Sequence, residues 1–312
     1  MKAAQINKYG GSEVVEINNN APKPNVSEGH LLVEVYAAGV NPVDWKIREG
    51  YMAKNVPLKF PSTLGGDFSG VVMEVGAGVS GFKKGDEVFG QAGTLRGGSG
   101  SFAEFASADV SVTVRKPKNI SHVEAAALPL TGVSAWQALV DHIGLSRGKK
   151  ILIHGGAGGI GTVAIQLARH LGAYVATTAS ARDLQYVREL GADEATDYKN
   201  QSFDDLVHNY DAVFDTAGGE TYEKSYKVLR KGGIIVSMLA QPNPELMKQY
   251  GVNAIGQFTQ VNSERLKKVA ELAEKRIIKV HIDKTFPLEQ AREALEFLQT
   301  GHPRGKVVLK MK

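Results

Sequence analysis

Cysteine is missing from all 312 residues. Its absence excludes disulfides, thiolate catalysis and every zinc site built on cysteine, so redox chemistry on this chain needs an organic cofactor. Apolar runs of about 18 residues, the length a membrane-crossing helix requires, are also missing. Residues 1–5 (MKAAQ) do not begin the charged and then apolar pattern of a signal peptide, and the expectation is a soluble, cytoplasmic protein. Nor is charge of one sign concentrated. The 37 Lys and Arg against 33 Asp and Glu leave a formal net charge of +4, with the cations dispersed, and nucleic acid is not an expected partner. The eight histidines show no close paired spacing of the kind that marks a metal site.

Glycine, by contrast, is abundant, with 35 residues clustered near turns rather than spread as low complexity. Residues 1–122 read as short alternating or apolar runs, such as His30–Ala37 (HLLVEVYA) and Gly70–Val75 (GVVMEV), divided by Gly, Pro and Asn. That pattern predicts a β-rich, barrel-like domain. From Ser121 the period changes: a Ser121/Glu124 capping box opens a helical stretch, and strands at Lys150–His154, Tyr174–Thr178, Ala212–Phe214 and Gly233–Met238 then alternate with helices. Alternation of this kind predicts an α/β fold with a doubly wound parallel sheet over residues 123–262. The strand–helix–strand pattern within 263–312 is expected to complete the first domain.

The strongest local signal is Ile151–Gly161, ILIHGGAGGIG, with the spacing G-x-G-x-x-G at Gly156, Gly158 and Gly161. It follows an apolar strand and opens an amphipathic helix. Backbone N–H groups of Gly156, Ala157, Gly158, Gly159 and Ile160 are therefore expected to face a dinucleotide diphosphate. Where an NAD-binding fold places a carboxylate for the ribose hydroxyl, this chain reads Ser180-Ala181-Arg182, and a hydroxyl with a guanidinium suits the 2′-phosphate of NADPH. Asp183 stands beside them, and a plainer reading makes Ser180 a helix cap and Arg182 a solvated helix residue.

Over its whole length the chain resembles the zinc-free quinone oxidoreductases and enone reductases of the medium-chain dehydrogenase/reductase superfamily. The resemblance is carried in order by Ala38–Asp44 (AGVNPVD), Leu64–Val72 (LGGDFSGVV), Gly85–Val88 (GDEV), Ala126–Gly132 (AALPLTG), the glycine motif and Gly305–Leu309 (GKVVL). It implies a GroES-like catalytic domain, a Rossmann domain, an active-site cleft between them and a homodimer. Zinc-dependent relatives have ligands where this chain has Asn41 and Gly66, so zinc is not expected.

Hydride transfer to a quinone, or to the C=C bond of an α,β-unsaturated carbonyl, builds negative charge on oxygen, and a nearby cation lowers the barrier. Some enone reductases in the family carry a run similar to Asn41-Pro42-Val43-Asp44-Trp45-Lys46. The resemblance therefore implies Lys46 as electrostatic stabiliser, Asn41 as a substrate contact, and Tyr51 as proton donor or pocket wall. Quinone reductases of the branch often have Tyr near the position of Lys46. The resemblance also implies cofactor contacts at Thr131, Tyr198 and Leu239, with Arg304, Gly305 and Lys306 closing over phosphate or ribose. Trp45, Tyr51, Phe60 and Phe258 are candidates for an aromatic pocket. The alternatives are a non-catalytic NADPH sensor and an RNA-binding or crystallin-like protein, which dispersed cations do not favour.

Overall fold

The short apolar runs at the start of the chain fold as strands β1 (Ala3–Ile6), β2 (Val15–Asn18), β3 (His30–Val40), β4 (Ser62–Thr63), β5 (Asp67–Val75), β6 (Glu87–Gln91), β7 (Phe105–Asp109) and β8 (Thr113–Arg115). A helix of about two turns, α1 (Pro42–Arg48), follows β3 because Pro42 at its first position fixes the backbone for a helix and has no N–H to leave unpaired. The next helix, α2 (His122–Ala126), begins as the sequence predicts: the Ser121 hydroxyl accepts from Glu124 N–H at 3.2 Å and Ser121 N–H donates to the Glu124 carboxylate at 2.8 Å.

The following segments alternate: α3 (Pro129–Trp136), which runs on as a π-helix over Gln137–His142, then β9 (Lys150–Ile153), α4 (Gly159–His170), β10 (Tyr174–Ala179), α5 (Leu184–Glu189), β11 (Glu194–Asp197), α6 (Phe203–Leu206), β12 (Tyr210–Asp215), α7 (Gly219–Val228), β13 (Leu229–Ser237), α8 (Pro244–Tyr250) and β14 (Asn253–Gly256). The six strands pair in parallel in the order β11-β10-β9-β12-β13-β14. Ile151, Leu152 and Ile153 of β9 are wholly buried, as a central strand covered on both faces requires. Strand order reverses around β9, and ligands of open α/β sheets bind at the carboxyl ends of strands at such a reversal.

The chain ends with α9 (Ser263–Glu274), β15 (Ile282–Pro287), α10 (Ala291–Thr300) and β16 (Lys306–Lys310). Strand β16 pairs antiparallel with β3, completing a seven-stranded sheet of order β15-β16-β3-β5-β6-β8 with β7 also on β3. The register, Val307 opposite Val40 and Gly39 opposite Asp67, gathers Lys306, Asn41 and Asp67 at one end of three neighbouring strands. Below them Ile6, Val40, Leu64, Phe102, Leu295 and Leu309 form an apolar core.

The computed structural model describes residues 1–312 apart from the side chain of Arg96, and they divide into two units. The first holds Met1–Leu130, Val261–Lys275 and Val280–Lys312; the second holds Thr131–Gln260 and Arg276–Lys279. The chain thus changes unit after Leu130 rather than after His122, because Ala126 and Ala127 pack against Ala37 and Val308. Residues 276–279 belong to the second unit because the Gln166 amide grips Lys279, donating to its carbonyl at 3.0 Å and accepting from its N–H at 2.9 Å. No helix of the described residues is long and apolar enough to cross a membrane.

Candidate functional site

The glycine motif of the second unit is a tight turn from β9 into α4. A Cβ on Gly156 would stand 2.1 Å from Thr177 Oγ1, and one on Gly161 would stand 2.2 Å from the Gly155 carbonyl oxygen, so these two glycines permit strand, turn and helix to close on each other. Gly158 differs. A Cβ there would meet only the Gly155 carbonyl oxygen, at 3.4 Å, which leaves open space in front of the turn. The first-turn N–H groups of α4, from Gly159 and Ile160 onward, have no intrahelical acceptor and carry the positive end of the helix dipole. An open, Cβ-free approach to such donors fits a diphosphate.

Sequence reasoning passed over His154, which supports this turn from below. Its Nδ1 lies 3.1 Å from Thr178 Oγ1 and its Nε2 lies 2.8 Å from Ser225 Oγ. Complete burial pushes the imidazole pKa down to about 4, against an opposing pull from Asp215, so the ring is neutral at pH 7 and serves as a polar spacer. The available signal was a polar residue ending an otherwise apolar strand.

At the end of β10 the structure brings Ser180, Arg182 and Asp183 together. Ser180 Oγ donates to Asp183 Oδ2 at 2.7 Å, and Arg182 Nε donates to the same oxygen at 3.2 Å. The Arg182 side chain is 62% exposed and that of Asp183 only 5%. Thus the carboxylate faces inward to its two donors. Tyr198 joins the same strand end, its N–H donating to the Ala179 carbonyl at 3.2 Å while its ring is exposed. Leu239, exposed just beyond β13, is held by an N–H bond of 3.1 Å to Ser237 Oγ, and Thr131 is buried on α3.

The first unit contains a buried ionic constellation that the sequence does not announce. Asn41 Nδ2 donates to Asp67 Oδ2 at 2.9 Å, and Asn41 Oδ1 accepts from Lys306 Nζ, which also donates to the Val40 carbonyl at 2.9 Å. Asp67 further accepts from Gln91 Nε2 at 2.8 Å and from Leu130 N–H at 3.0 Å. Asp44 accepts from Asn41 N–H at 2.7 Å. Asn41, Asp44, Asp67 and Lys306 are all buried. Burial pushes the Asp44 carboxyl up to about 7 and raises Asp67 as well, while it lowers Lys306. The amide orientation of Asn41 follows from its partners, since an ammonium only donates and a carboxylate only accepts. These contacts correct two expectations: the Asn41 side chain is committed within the unit rather than offered to a substrate, and the Lys306 ammonium is turned inward rather than over a phosphate.

Beside this constellation, α1 carries Trp45 and Lys46 at half-buried positions, with the Lys46 ammonium 5.6 Å from the Trp45 ring centroid. Tyr51 is 69% exposed and stands edge-on to Trp45 at 5.8 Å, and its N–H donates to the Lys46 carbonyl at 3.0 Å. Lys46, Trp45 and Tyr51 are therefore neighbours. Phe60 packs instead edge-on against Tyr9 at 5.0 Å, and Phe258 belongs to the second unit, where it is exposed. Arg304 is half-buried, and Gly305 takes φ +75°, where a Cβ would stand 2.4 Å from the His281 carbonyl oxygen.

Comparison with known proteins bears on both units. Residues 27–118 match the alcohol dehydrogenase GroES-like domain and residues 190–309 match the zinc-binding dehydrogenase family. The chain is 38% identical to a 2-methylene-furan-3-one reductase of Solanum lycopersicum, and 38% identical to an NADPH-dependent alkenal/one oxidoreductase of Arabidopsis thaliana; each match takes in 99% of this chain and 79% of the relative. Among solved structures, a quinone oxidoreductase from Coxiella burnetii superposes with a TM-score of 0.91 at 36% identity, covering 100% of this chain and 99% of that one.

Proposed function

Because the chain belongs to the quinone and enone oxidoreductase branch of the medium-chain dehydrogenase/reductase superfamily, we propose that it is an NADPH-dependent reductase of quinones or of the C=C bond of α,β-unsaturated carbonyls. The observation that carries this reading is the open glycine turn at Gly158, followed one strand later by the donors Ser180 and Arg182. In this reading the turn from Gly156 to Ile160 holds the diphosphate, and Ser180 and Arg182 take the 2′-phosphate. Tyr198 flanks the adenine, Leu239 approaches the nicotinamide, Thr131 is a further cofactor contact, and Arg304 and Gly305 border the phosphate or ribose. NADPH, when bound, supplies a hydride.

The chain's own residues handle the charge. Lys46 offers an ammonium to the substrate oxygen as that oxygen becomes negative, which stabilises the transition state more than the ground state. Tyr51 walls the pocket beside it or donates a proton to the same oxygen. For an enone, the hydride bonds to the β-carbon and solvent supplies the proton at the α-carbon. Zinc has no part: Gly66 offers no ligand atom, and the Asn41 amide is engaged by Lys306 and Asp67. The first unit is read as the catalytic domain and the second as the nucleotide domain of a cytoplasmic homodimer that pairs through sheet edges such as β14. Oligomeric state by light scattering tests the dimer.

The experiment on activity is NADPH oxidation at 340 nm with a benzoquinone, a phenanthrenequinone, an alkenal and a vinyl ketone, NADH as parallel donor, and identification of the reduced bond. Turnover that prefers NADPH supports the reading. Dinucleotide binding without turnover of any acceptor overturns it in favour of a sensor.

A further inference from the structure

We propose that Asp183 sets how strongly this protein prefers the 2′-phosphate of NADPH, by holding the proton of Ser180 and the Nε edge of Arg182 in the free enzyme. The inference rests on the cofactor reading above and goes beyond it by assigning a role to a carboxylate that direct phosphate recognition leaves unused. One oxygen, Asp183 Oδ2, accepts from Ser180 Oγ at 2.7 Å and from Arg182 Nε at 3.2 Å. The backbone fixes this arrangement, since Asp183 N–H donates to the Ser180 carbonyl at 2.8 Å and closes a tight helical turn. A buried carboxylate with two donors on one oxygen is not presented to a ribose hydroxyl, so Asp183 does not act as the acidic residue of an NAD-selective site.

The two donors are affected differently. A serine hydroxyl has one proton, and while it points to Asp183 the hydroxyl shows a phosphate only lone pairs. Arg182 gives up Nε to Asp183, and its side chain is 62% exposed. A 2′-phosphate must therefore draw Ser180 away from Asp183 and tolerate a neighbouring negative charge. NADH makes neither demand. Asp183 thus moderates NADPH selectivity and lets NADH compete better than Ser180 and Arg182 alone would allow.

Calorimetric titration with 2′,5′-ADP and 5′-AMP tests this on the full chain without turnover, because the two differ only in the 2′-phosphate. Releasing one hydrogen bond to a charged group corresponds to about a tenfold change. Asp183→Ala is expected to tighten 2′,5′-ADP relative to 5′-AMP by about that factor, and Asp183→Asn, which removes the charge but keeps an acceptor, by less. Ser180→Ala is expected to cost more affinity for 2′,5′-ADP in the Asp183→Ala background than in the parent. A fall in the 2′,5′-ADP preference in either Asp183 variant overturns the proposal, and so does no change in both. If the parent binds both nucleotides alike and Arg182→Ala changes nothing, the 2′-phosphate reading fails and the proposal falls with it. A parent preference that Arg182→Ala removes keeps that reading alive whatever the Asp183 variants do.

Discussion

Asp44→Asn should remove a pH dependence of stability that the buried constellation builds into the first unit. Asp44 is completely buried beside Asp67, and its pKa rises from an ordinary 3.8 to about 7. The folded protein therefore binds this proton more tightly than the unfolded chain does. Below pH 4 both states are protonated and the stabilisation is fully present; as pH rises the unfolded chain ionises first, and the stabilisation is lost progressively until it levels off above about 7. The gap of 7 − 3.8, near three pK units at 1.36 kcal/mol each, amounts to about 4 kcal/mol across that window. Asparagine retains an acceptor for the Asn41 N–H and cannot ionise. Urea unfolding of parent and variant between pH 4.5 and 8.5, in steps of about half a unit, isolates this group because other titrations largely cancel in the difference. The variant is expected to gain on the parent steadily up to neutral pH and then hold a constant margin. A constant difference at every pH would refute the reasoning, whatever its size, because a lost hydrogen bond gives an offset and only a lost titration gives a slope.

Other variants separate support from chemistry. Lys306→Met leaves Asn41 Oδ1 and the Val40 carbonyl without their donor and a carboxylate pair without its cation, and should lower the unfolding free energy by about 3–5 kcal/mol; Lys306→Met with Asp67→Asn should recover part of that loss in the same urea assay. Gly156→Ala drives a methyl into Thr177 Oγ1, which cannot yield freely because it donates to the Ile153 carbonyl at 2.6 Å, so calorimetry should find NADPH binding weakened by roughly tenfold or more. Lys46→Met should reduce kcat/KM for an enone by about 10²–10³ while NADPH affinity holds, read from steady-state kinetics beside a binding titration.

What the sequence disclosed follows from range. The strand–turn–helix at Ile151–Gly161 was legible because its physics is local: the spacing of three glycines, an apolar strand before them and an amphipathic helix after them lie within one short window. The Ser121/Glu124 box was legible for the same reason. Asn41, Asp67 and Lys306 were not, since their meeting depends on how β3 registers against β5 on one side and β16 on the other. In sequence each looks like a polar residue at the edge of an apolar strand, which is equally the appearance of a surface residue or a substrate contact.

Pairing across that long range changes what α1 can do. Asn41 stands at the start of α1, and its amide is held on one side by an ammonium and on the other by a carboxylate, while its N–H is held by Asp44 within the helix. A helix anchored this way at its first turn has little freedom to translate, and Lys46 lies one turn further along it. The polar core of the first unit thus fixes the backbone that carries Lys46 without touching the Lys46 side chain. It follows that damage to the constellation and removal of the ammonium are separable: Lys306→Met should depress turnover through misplaced geometry and lower stability together, whereas Lys46→Met should depress turnover with the unfolding midpoint held. Loss of turnover in Lys306→Met with stability intact would place Lys306 at the substrate or cofactor after all, and a fall in stability with turnover intact would show that α1 needs no such anchor.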